Sequence, residues 1–394
     1  MSDKPKILVV AYSASENLGS EGSAGASWIK ALSSLAEVTV VTREKNVEGL
    51  RLSENEVGLV GYDLPKFVRR LKGSLLPLSI YYHLWMVFLP AHLRRTIDLK
   101  QYDYAWHLTF ATVHRRSAAF KLGLPVIWGP VGGRTVFRRK LLLGLGAKGA
   151  LKEVARFGLE RVLEPSARKR ASAAHLVIYQ NPETVLDVRA TNYVVRTNIV
   201  LDRWRQMNPE GLASVEMSPT FRPRILFVSR SELKGERLLE KFILDSAPNA
   251  KFTVIGSVNP RRWREVGLAD VVQVVDWLPR DSYMDLLLRH DGFLSLSTRE
   301  SAGWAIAESL REGTPVFAFD INGPAGIRQQ GGGELQGLTL CKPDNDWHRH
   351  LGDWLDGLML TDTRGTVDVG SNFSALSLQR WLEAQLLKSP GPVF

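Results

Sequence analysis

Two glutamates stand eight positions apart within residues 295–327, SLSTRESAGWAIAESLREGTPVFAFDINGPAGI. Glu300 follows an apolar run, GFLSLS, that is typical of a β-strand, and Glu308 lies in GWAIAESLREG, which has helical composition and a stop at Gly313. The start of such a helix offers backbone N–H groups and the positive end of the helix dipole, and therefore favours an anion such as a diphosphate. The residues predicted to line it are Ser301, Ala302, Gly303 and Trp304.

The two carboxylates suit hydroxyl groups rather than the anion itself. Glu308, about one turn into the predicted helix, would repel an anion, but it can accept hydrogen bonds from the vicinal hydroxyls of a ribose. Glu300, in the loop, can accept hydrogen bonds from the hydroxyls of a second sugar. A diphosphate site between two hydroxyl-binding carboxylates predicts a nucleotide diphosphate sugar as ligand.

Strand and helix signals alternate through both halves of the chain. In the first half the strand signals are KILVVAYSA, EVTVVT, YDYAWHLTF, PVIWGP and AHLVIYQ; in the second they are RILFVSR, KFTVIGS, VVQVVDWLP, GFLSLS and TPVFAFD. This order predicts two doubly wound, Rossmann-like α/β domains that face a cleft, with ligand at the carboxyl ends of the strands. We predict a first domain over 1–200, a linker over 201–223, a second domain over 224–372 and a final helical segment over 373–394.

The segment around the two glutamates resembles the E-x7-E motif of glycosyltransferase family 4, whose members are retaining enzymes of the GT-B fold. The segment ILFVSRSELKGERLLEKF is similar to the family's strand, Gly-Arg, Lys-Gly and helix, with Ser229 where glycine is usual. PNAKFTVIGS, the run from VVQVVDWLP to STRES, and EGTPVFAFDINGPAGI follow in family order. The resemblance covers most of the chain and implies that residues 373–394 return to the first domain.

This resemblance assigns roles on the donor side. Arg230 and Lys234 match cations that neutralise the departing diphosphate, and Glu300 is assigned to the donor sugar. His107, at the end of the WHLTF strand, matches a histidine that faces the donor sugar. Trp277 and Leu278 of DWLP are expected beside the base. The alternatives are structural salt bridges for the two cations and a hydrogen-bonded core histidine for His107.

Two glycine-rich loops belong to the first half. NLGSEGSAGASW opens a helix, and Gly19 and Gly22 are expected to bring backbone close to the diphosphate or the acceptor, with Glu21 on the acceptor side. A plain glycine-rich turn, or the loop of a dinucleotide enzyme, is the alternative. WGPVGGR resembles a loop found in bacterial members of the family and assigns Gly132 and Gly133 to the acceptor side, although Arg134 stands where a third glycine is expected.

Composition and further motifs exclude several classes of protein. With 394 residues, 44% of them hydrophobic, the chain can form two packed domains, and its one cysteine, Cys341, excludes an intrachain disulfide framework. No signal-like leader begins the sequence, so we expect a cytoplasmic protein. Metalloprotease, nucleophile-elbow and P-loop patterns are missing from the sequence, and Asp344 and Asp346 lie in a late polar loop, which favours a capping or solvated role. We predict no metal and no other cofactor, the nucleotide sugar being substrate.

The net charge of +10 comes from two windows in the first half of the chain. Residues 64–100 carry seven Lys or Arg against one acid, and residues 134–170 carry eleven against three. The basic residues flank apolar runs, a mixture that suits an anionic membrane surface better than nucleic acid. Two prolines and two histidines within 74–93 argue against a spanning helix. The alternative is a set of core helices with a solvated basic face.

The sequence therefore predicts a retaining hexosyltransferase that moves sugar from a UDP- or GDP-sugar to an acceptor hydroxyl, in the biosynthesis of a bacterial polysaccharide, glycolipid or other glycoconjugate. The acceptor is a lipid-linked glycan or a small molecule, and the enzyme is expected at the inner face of the membrane. Two alternatives share the nucleotide site. A sugar-nucleotide epimerase needs acid and base groups in the cleft, and a non-catalytic protein binds nucleotide sugar or lipid without turnover.

Overall fold

The structure is a computed structural model of the full chain. It describes residues 4–15, 19–50, 57–71, 77–189, 191–201, 222–360 and 370–388. The linker predicted over 201–223 lies almost wholly outside the described residues.

Strands and helices alternate in the described part of the chain. The strands are β1 Lys6–Ala11, β2 Glu37–Thr42, β3 Gly58–Gly61, β4 Tyr104–Thr109, β5 Val126–Val131, β6 Leu176–Tyr179, β7 Tyr193–Val195, β8 Arg224–Val228, β9 Lys251–Ile255, β10 Val272–Val275, β11 Gly292–Ser295, β12 Val316–Phe319 and β13 Leu338–Cys341. The helices are α1 Gly19–Ser33, α2 Glu44–Val47, α3 Lys66–Leu71, α4 Leu78–Thr96, α5 Arg139–Leu142, α6 Gly146–Ala173, α7 Glu236–Ser246, α8 Pro260–Glu265, α9 Arg280–Leu288, α10 Trp304–Arg311, α11 Asn322–Gln330, α12 Trp347–Leu360, α13 Gly370–Phe373 and α14 Ala375–Lys388.

The chain divides into two compact units, each built on one sheet. The first unit comprises Met1–Arg134, Glu160–Val200 and Phe373–Phe394, and its sheet has the order β3-β2-β1-β4-β5-β6-β7. All its strand pairs are parallel. The order reverses direction between β1 and β4, which is the topological switch point where α/β sheets of this kind bind ligands.

The second unit comprises Thr135–Leu159 and Leu201–Asn372. Its parallel sheet has the order β10-β9-β8-β11-β12-β13, so its switch point lies between β8 and β11. The two doubly wound α/β sheets predicted from the alternating signals are thus confirmed.

Continuous apolar runs explain the central strands. Ile7, Leu8, Val9 and Val10 of β1 are all 0% exposed, because helices cover both faces of a parallel sheet. The edge strands are different: β3 reads GLVG and none of its residues is buried. β3, β7 and β13 were not predicted from the sequence, since a short, half-exposed edge strand has no continuous apolar run.

The observed units differ from the predicted domain boundaries in residues 135–159. This segment packs with the second unit, where Leu141 and Leu145 are buried in the core with Leu238 and Phe242 of α7. The start of α6 therefore belongs to the unit that carries the two glutamates.

The C-terminal helix α14 packs in the first unit. Leu378 and Leu382 are buried in its core, and Trp381 lies edge-on to Trp28 of α1, with ring centroids 5.9 Å apart. Leu376, on the same helix, is 55% exposed. The helix thus packs against α1 and its neighbours through one apolar face, formed by Leu378, Trp381 and Leu382.

We predict that Leu378→Ala destabilises the protein by about 2–5 kcal/mol, because it removes a buried side chain and leaves a cavity. Leu376→Ala is the matched control on the same helix and should change stability by less than about 0.5 kcal/mol. Urea unfolding, monitored by tryptophan fluorescence, gives the free energy of unfolding of both variants. Equal effects of the two variants would show that α14 does not contribute to the core.

Candidate functional site

Three side chains predicted on the donor side lie at the switch point of the second unit. Arg230 follows the carboxyl end of β8, Lys234 ends a short 3₁₀ turn, Glu232–Lys234, and Glu300 follows β11. Because β8 and β11 are adjacent and parallel, the segments after them meet at one edge of the sheet. The fold therefore brings together residues about 65 positions apart in the sequence.

Lys234 and Glu300 form an ion pair. Lys234 Nζ contacts Glu300 Oε2, and the two side chains keep 24% and 22% of their surface exposed. Gly235, which follows the lysine, has φ +86°, and a side chain there would collide with the carbonyl oxygen of Leu296 after β11. Glycine is required at this position because the turn that carries Lys234 packs directly on the neighbouring strand end.

Arg230 supplies the second cation. Its backbone has φ +112°, an unusual conformation for a residue with a side chain, and strained backbones of this kind cluster at functional sites. Its guanidinium carbon lies 3.5 Å from the centroid of the Trp277 ring, a cation–π contact. Burial lowers the pKa of Arg230, while the nearby Glu300 carboxylate opposes that shift. Trp277 remains 53% exposed, and Leu278 beside it is partly buried.

Helix α10 begins beside these side chains, at Trp304. Gly303 precedes it with φ +85°. A Cβ on Gly303 would lie 2.9 Å from Ile327 Cδ1 of α11, so the loop approaches that helix closely. The Gly323 N–H donates to the Glu300 carbonyl at 2.6 Å, which fixes the loop from the other side. Ser301 is exposed and Ala302 is buried, and both lie in this loop.

Glu308 lies on the second turn of α10 and is only 3% exposed. Arg280, the first residue of α9, places Nη2 2.7 Å from Glu308 Oε1. Burial raises the pKa of Glu308, and Arg280 opposes the shift. Burial also raises the pKa of Tyr283, on the first turn of α9, and the Glu308 charge adds to that rise. Arg280 and Tyr283 were not predicted from the sequence, although Arg280 directly follows DWLP and Tyr283 lies three residues further along.

The start of α6 anchors both loops of the site. Glu153 accepts a hydrogen bond from Arg299 Nε at 2.6 Å, in an ion pair whose side chains are 5% and 8% exposed. Lys152 pairs with Glu232 at 3.0 Å. Arg299 directly precedes Glu300, and Glu232 lies two residues before Lys234. Two adjacent residues of α6 therefore hold both the loop that carries Glu300 and the turn that carries Lys234. No local motif signals this arrangement, because the partners are 80 or more positions apart.

His107 lies in the first unit, at the end of β4 and beside the switch point there. It is 0% exposed, and its Nε2 lies 3.1 Å from both the Tyr82 hydroxyl and the Thr109 carbonyl oxygen. Burial lowers the pKa of His107 to about 4. The imidazole is therefore neutral at pH 7, and its role toward a donor sugar stays a prediction.

The other predicted residues of the first unit also surround its switch point. Glu21 of α1 accepts hydrogen bonds from the Phe110 N–H at 2.6 Å and from Asn198 Nδ2 at 3.2 Å, and burial raises its pKa. Phe110, after β4, has φ +55°. Gly22 is buried, whereas Gly19 is exposed at the helix start.

The Gly132–Gly133 loop follows β5 and bridges back toward β4. The Gly132 N–H donates to the Ala111 carbonyl at 3.0 Å, and Gly133 has φ +96°. Arg134, the departure from the family pattern, donates to the carbonyl oxygens of Glu183 and Val185. Its side chain thus holds a neighbouring loop, while Gly132 and Gly133 stay predicted acceptor-side residues.

The late acidic pair lies before α12. The Asp346 N–H donates to the Asp344 carboxylate at 3.0 Å. Among the described residues, no group of three or more His, Cys, Asp or Glu side chains is arranged to hold a metal ion.

The buried His107 predicts a pH dependence of stability. Its folded-state pKa of about 4 lies below the ordinary 6.5, so the unfolded chain takes up its proton first as the pH falls. This contribution to stability is complete above pH 6.5 and is lost toward pH 4, by on the order of 3 kcal/mol. His107→Gln should therefore lose less stability than wild type between about pH 7 and about pH 5, measured by urea unfolding. Parallel pH profiles for the two proteins would contradict it.

Comparison with solved structures shows one fold along the whole chain. Sucrose-phosphate synthase (tll1590) from Thermosynechococcus elongatus is 14% identical, with a TM-score of 0.61 over 98% of this chain and 100% of that chain. Anabaena Alr3699/HepE in complex with UDP and glucose is 15% identical, with a TM-score of 0.56 over 98% and 100%. WaaG, a glycosyltransferase involved in lipopolysaccharide biosynthesis, is 12% identical, with a TM-score of 0.52 over 97% and 96%. The likeness shows the fold of GT-B glycosyltransferases.

A search of curated protein sequences found no match to this chain. Residues 216–356 match the family described as Glycosyl transferases group 1. That segment contains Arg230, Lys234, Glu300 and Glu308. Four of the predicted donor-side residues therefore lie within the segment that is similar to Glycosyl transferases group 1.

Proposed function

We propose that the protein is a glycosyltransferase that moves a sugar from a nucleotide diphosphate sugar to an acceptor hydroxyl. The observation that carries the proposal is the convergence of Arg230, Lys234 and Glu300 with the start of α10 at the β8/β11 switch point. All of them lie in the segment that matches Glycosyl transferases group 1. Two cations and a helix N-terminus beside a carboxylate suit a diphosphate joined to a sugar.

The cations act on the leaving group. The bond between the anomeric carbon and the diphosphate oxygen breaks, and negative charge grows on the departing nucleoside diphosphate. Lys234 and Arg230, with the backbone amides at the start of α10, stabilise that charge. Glu300 forms an ion pair with Lys234. When donor binds, the diphosphate takes over Lys234 and releases the Glu300 carboxylate toward the hydroxyls of the donor sugar.

Glu308 and Trp277 serve the nucleoside. Glu308 is buried beside Arg280, so its carboxylate is held in one position and can accept from both ribose hydroxyls. The exposed Trp277 ring, already in contact with Arg230, offers a surface for the base, with Leu278 next to it. A uracil base is favoured by the UDP and glucose that the similar HepE structure holds.

Transfer retains the configuration at the anomeric carbon, as the E-x7-E resemblance implies. The acceptor oxygen attacks from the face that the diphosphate leaves, and the acceptor proton passes to a leaving phosphate oxygen. Glu21, Gly22, Gly132 and Gly133 contribute the acceptor side, and His107 faces the donor sugar. The product belongs to a polysaccharide, glycolipid or related glycoconjugate.

A surface of α3 and α4 suits an anionic membrane. Helix α4 buries Tyr81, Trp85 and Leu89 on one face, while Val87 and Phe88 are 42% and 54% exposed. Phe67 of α3 is 69% exposed and lies in the sequence beside Arg69 and Arg70. Exposed apolar residues beside basic ones are typical of interfacial binding. Among the described helices, none is both long and apolar enough to cross a bilayer.

The donor site is tested by two substitutions. Lys234→Ala should lower turnover about 100-fold to 1,000-fold with a much smaller change in KM, since its interaction strengthens as charge develops. Glu308→Gln should instead weaken donor binding about tenfold or more, because the amide accepts hydrogen bonds poorly from two hydroxyls. Nucleoside diphosphate release from a panel of UDP- and GDP-sugars, with calorimetry for binding, measures both effects.

Lys241 is an exposed lysine on α7, and Lys241→Ala is the matched control. It should leave both turnover and donor binding unchanged. An unchanged turnover number for Lys234→Ala would remove Lys234 from the mechanism. Binding of nucleotide sugar without any release of nucleoside diphosphate, whatever acceptor is offered, would indicate a binding protein instead.

Membrane contact is tested by two single substitutions of similar exposure. Phe88 on α4 and Leu376 on α14 are 54% and 55% exposed. We expect wild type and Leu376→Ser to co-sediment with phosphatidylglycerol vesicles at low salt, and Phe88→Ser to bind several-fold more weakly. High salt should weaken the vesicle binding of all three proteins. Each basic residue at an anionic surface contributes about 1 kcal/mol, and salt screens this attraction. Equal sedimentation with phosphatidylcholine vesicles would contradict the proposal.

A further inference from the structure

A polar cavity lies in the first unit, at the carboxyl ends of β2 and β3. It is open to solvent and has a volume of about 610 Å³. Its lining includes Arg43, directly after β2, and Asp63, two residues after β3, with Tyr81 of α4. A volume of this size holds one or two sugar rings, and it lies at the strand ends where α/β sheets bind ligands.

Arg43 is held rigidly in the wall of this cavity. It is 7% exposed, its Nε donates to the Tyr12 carbonyl at 3.0 Å, and its guanidinium carbon lies 4.5 Å from the centroid of the Tyr12 ring. Asn46 Nδ2 donates to the same carbonyl at 3.1 Å and to Thr42 Oγ1 at 3.2 Å. The backbone beneath the guanidinium is thereby fixed.

No carboxylate among the described residues forms an ion pair with Arg43. Of the acidic lining residues, Glu44 pairs with Arg69 at 2.5 Å, and Asp63 accepts a hydrogen bond from the Tyr81 hydroxyl at 2.9 Å. A buried charge without a counter-charge is costly, and arginine presents a planar fork that matches carboxylate and phosphate oxygens. The wall therefore presents a preorganised site for an anionic group.

The remaining lining groups suit hydroxyls. Lys45, exposed at the rim, adds a second cation, whereas Asp63 and Glu48 offer carboxylate oxygens that can accept from hydroxyl groups. A lining that contains both cations and carboxylates fits a compound that carries both an anionic group and several hydroxyls. A sugar phosphate or a sugar acid has that composition.

Aromatic contacts connect the cavity to the switch point of the first unit. Tyr12, which carries Arg43 on its ring, lies edge-on to Tyr82 with ring centroids 5.0 Å apart. The Tyr82 hydroxyl in turn lies 3.1 Å from His107 Nε2. Tyr12 also lies edge-on to Phe110, with ring centroids 5.5 Å apart, and the Phe110 N–H donates to Glu21, a predicted acceptor-side residue. A ligand held by Arg43 is therefore connected through these contacts to the predicted acceptor side.

We infer that this cavity binds the anionic group of the acceptor, and that the acceptor is a sugar bearing a phosphate or a carboxylate. The inference rests on the proposed transferase function and names its acceptor class. Its residues all belong to the first unit, whereas Arg230, Lys234 and Glu300 belong to the second, so the two sites can be tested separately.

The experiment is calorimetric binding of glucose 6-phosphate, glucuronate, glucose and inorganic phosphate to the full chain without nucleotide, at constant ionic strength. Wild type should bind at least one of the two anionic sugars at least tenfold more tightly than glucose, and which one binds better distinguishes phosphate from carboxylate. Inorganic phosphate should bind more weakly than the favoured sugar because it makes no contact with Asp63 or Glu48.

Two variants and a control locate the binding. Arg43→Gln should weaken the favoured anionic sugar at least tenfold, and Lys45→Gln, at the exposed rim, about twofold to fivefold. Arg95 is an exposed arginine of α4, and Arg95→Gln should bind the favoured anionic sugar as tightly as wild type does. UDP-sugar binding should be unchanged in all three. Urea unfolding of Arg43→Gln compared with wild type shows whether the variant is folded.

Equal affinities of wild type for glucose and for both anionic sugars would overturn the inference, even if Arg43→Gln fails to fold. Retention of anionic sugar binding by a folded Arg43→Gln would overturn it as well. We expect Lys234→Ala to lose turnover of the UDP-sugar and to keep its binding of the anionic sugar. Anionic sugar binding without any nucleotide sugar turnover in wild type would refute the proposed function and leave the cavity's specificity established.

Discussion

The ion pair between Lys234 and Glu300 is the interaction on which the proposed donor site depends. It joins the segments after β8 and β11, the two strands that flank the switch point. Since both side chains are about a quarter exposed, the pair contributes no more than about 1 kcal/mol to stability. A diphosphate with its full charge can therefore displace Glu300 from Lys234 at small cost. The deeper pair between Glu153 and Arg299 keeps the loop in place while this exchange occurs.

Strained backbone marks the strand ends in both units. Arg230 follows β8, Phe110 follows β4 and Asn322 follows β12, and each has a positive φ. Conformations of this kind cost about 1–3 kcal/mol each and persist only where the surroundings fix them. The fixed surroundings here are parallel sheets whose central strands are fully buried. The same winding order in both sheets thus gives each unit a rigid base with shaped loops at one edge.

Much of this arrangement follows from the sequence because local signals were strong. Continuous apolar runs identified the central strands, and the Glu300/Glu308 spacing identified the helix start between them. Edge strands such as GLVG were missed because half-exposed backbone leaves little apolar pattern. Glu153, Arg280 and Arg43 were missed for another reason. Glu153 and Arg280 act through partners that are distant in sequence. Arg43 forms no ion pair with a carboxylate of the described residues, and neither property produces a motif.

The central claim is that the second unit recognises a diphosphate through Lys234, Arg230 and the start of α10. Calorimetry that compares a nucleoside diphosphate with its monophosphate tests this directly, using whichever of UDP and GDP binds better. The account predicts that the diphosphate binds at least tenfold more tightly, a difference of about 1.4 kcal/mol or more. Equal affinities for UDP and UMP, or for GDP and GMP, would contradict it, because the ion pair and the helix start would then contribute nothing to recognition.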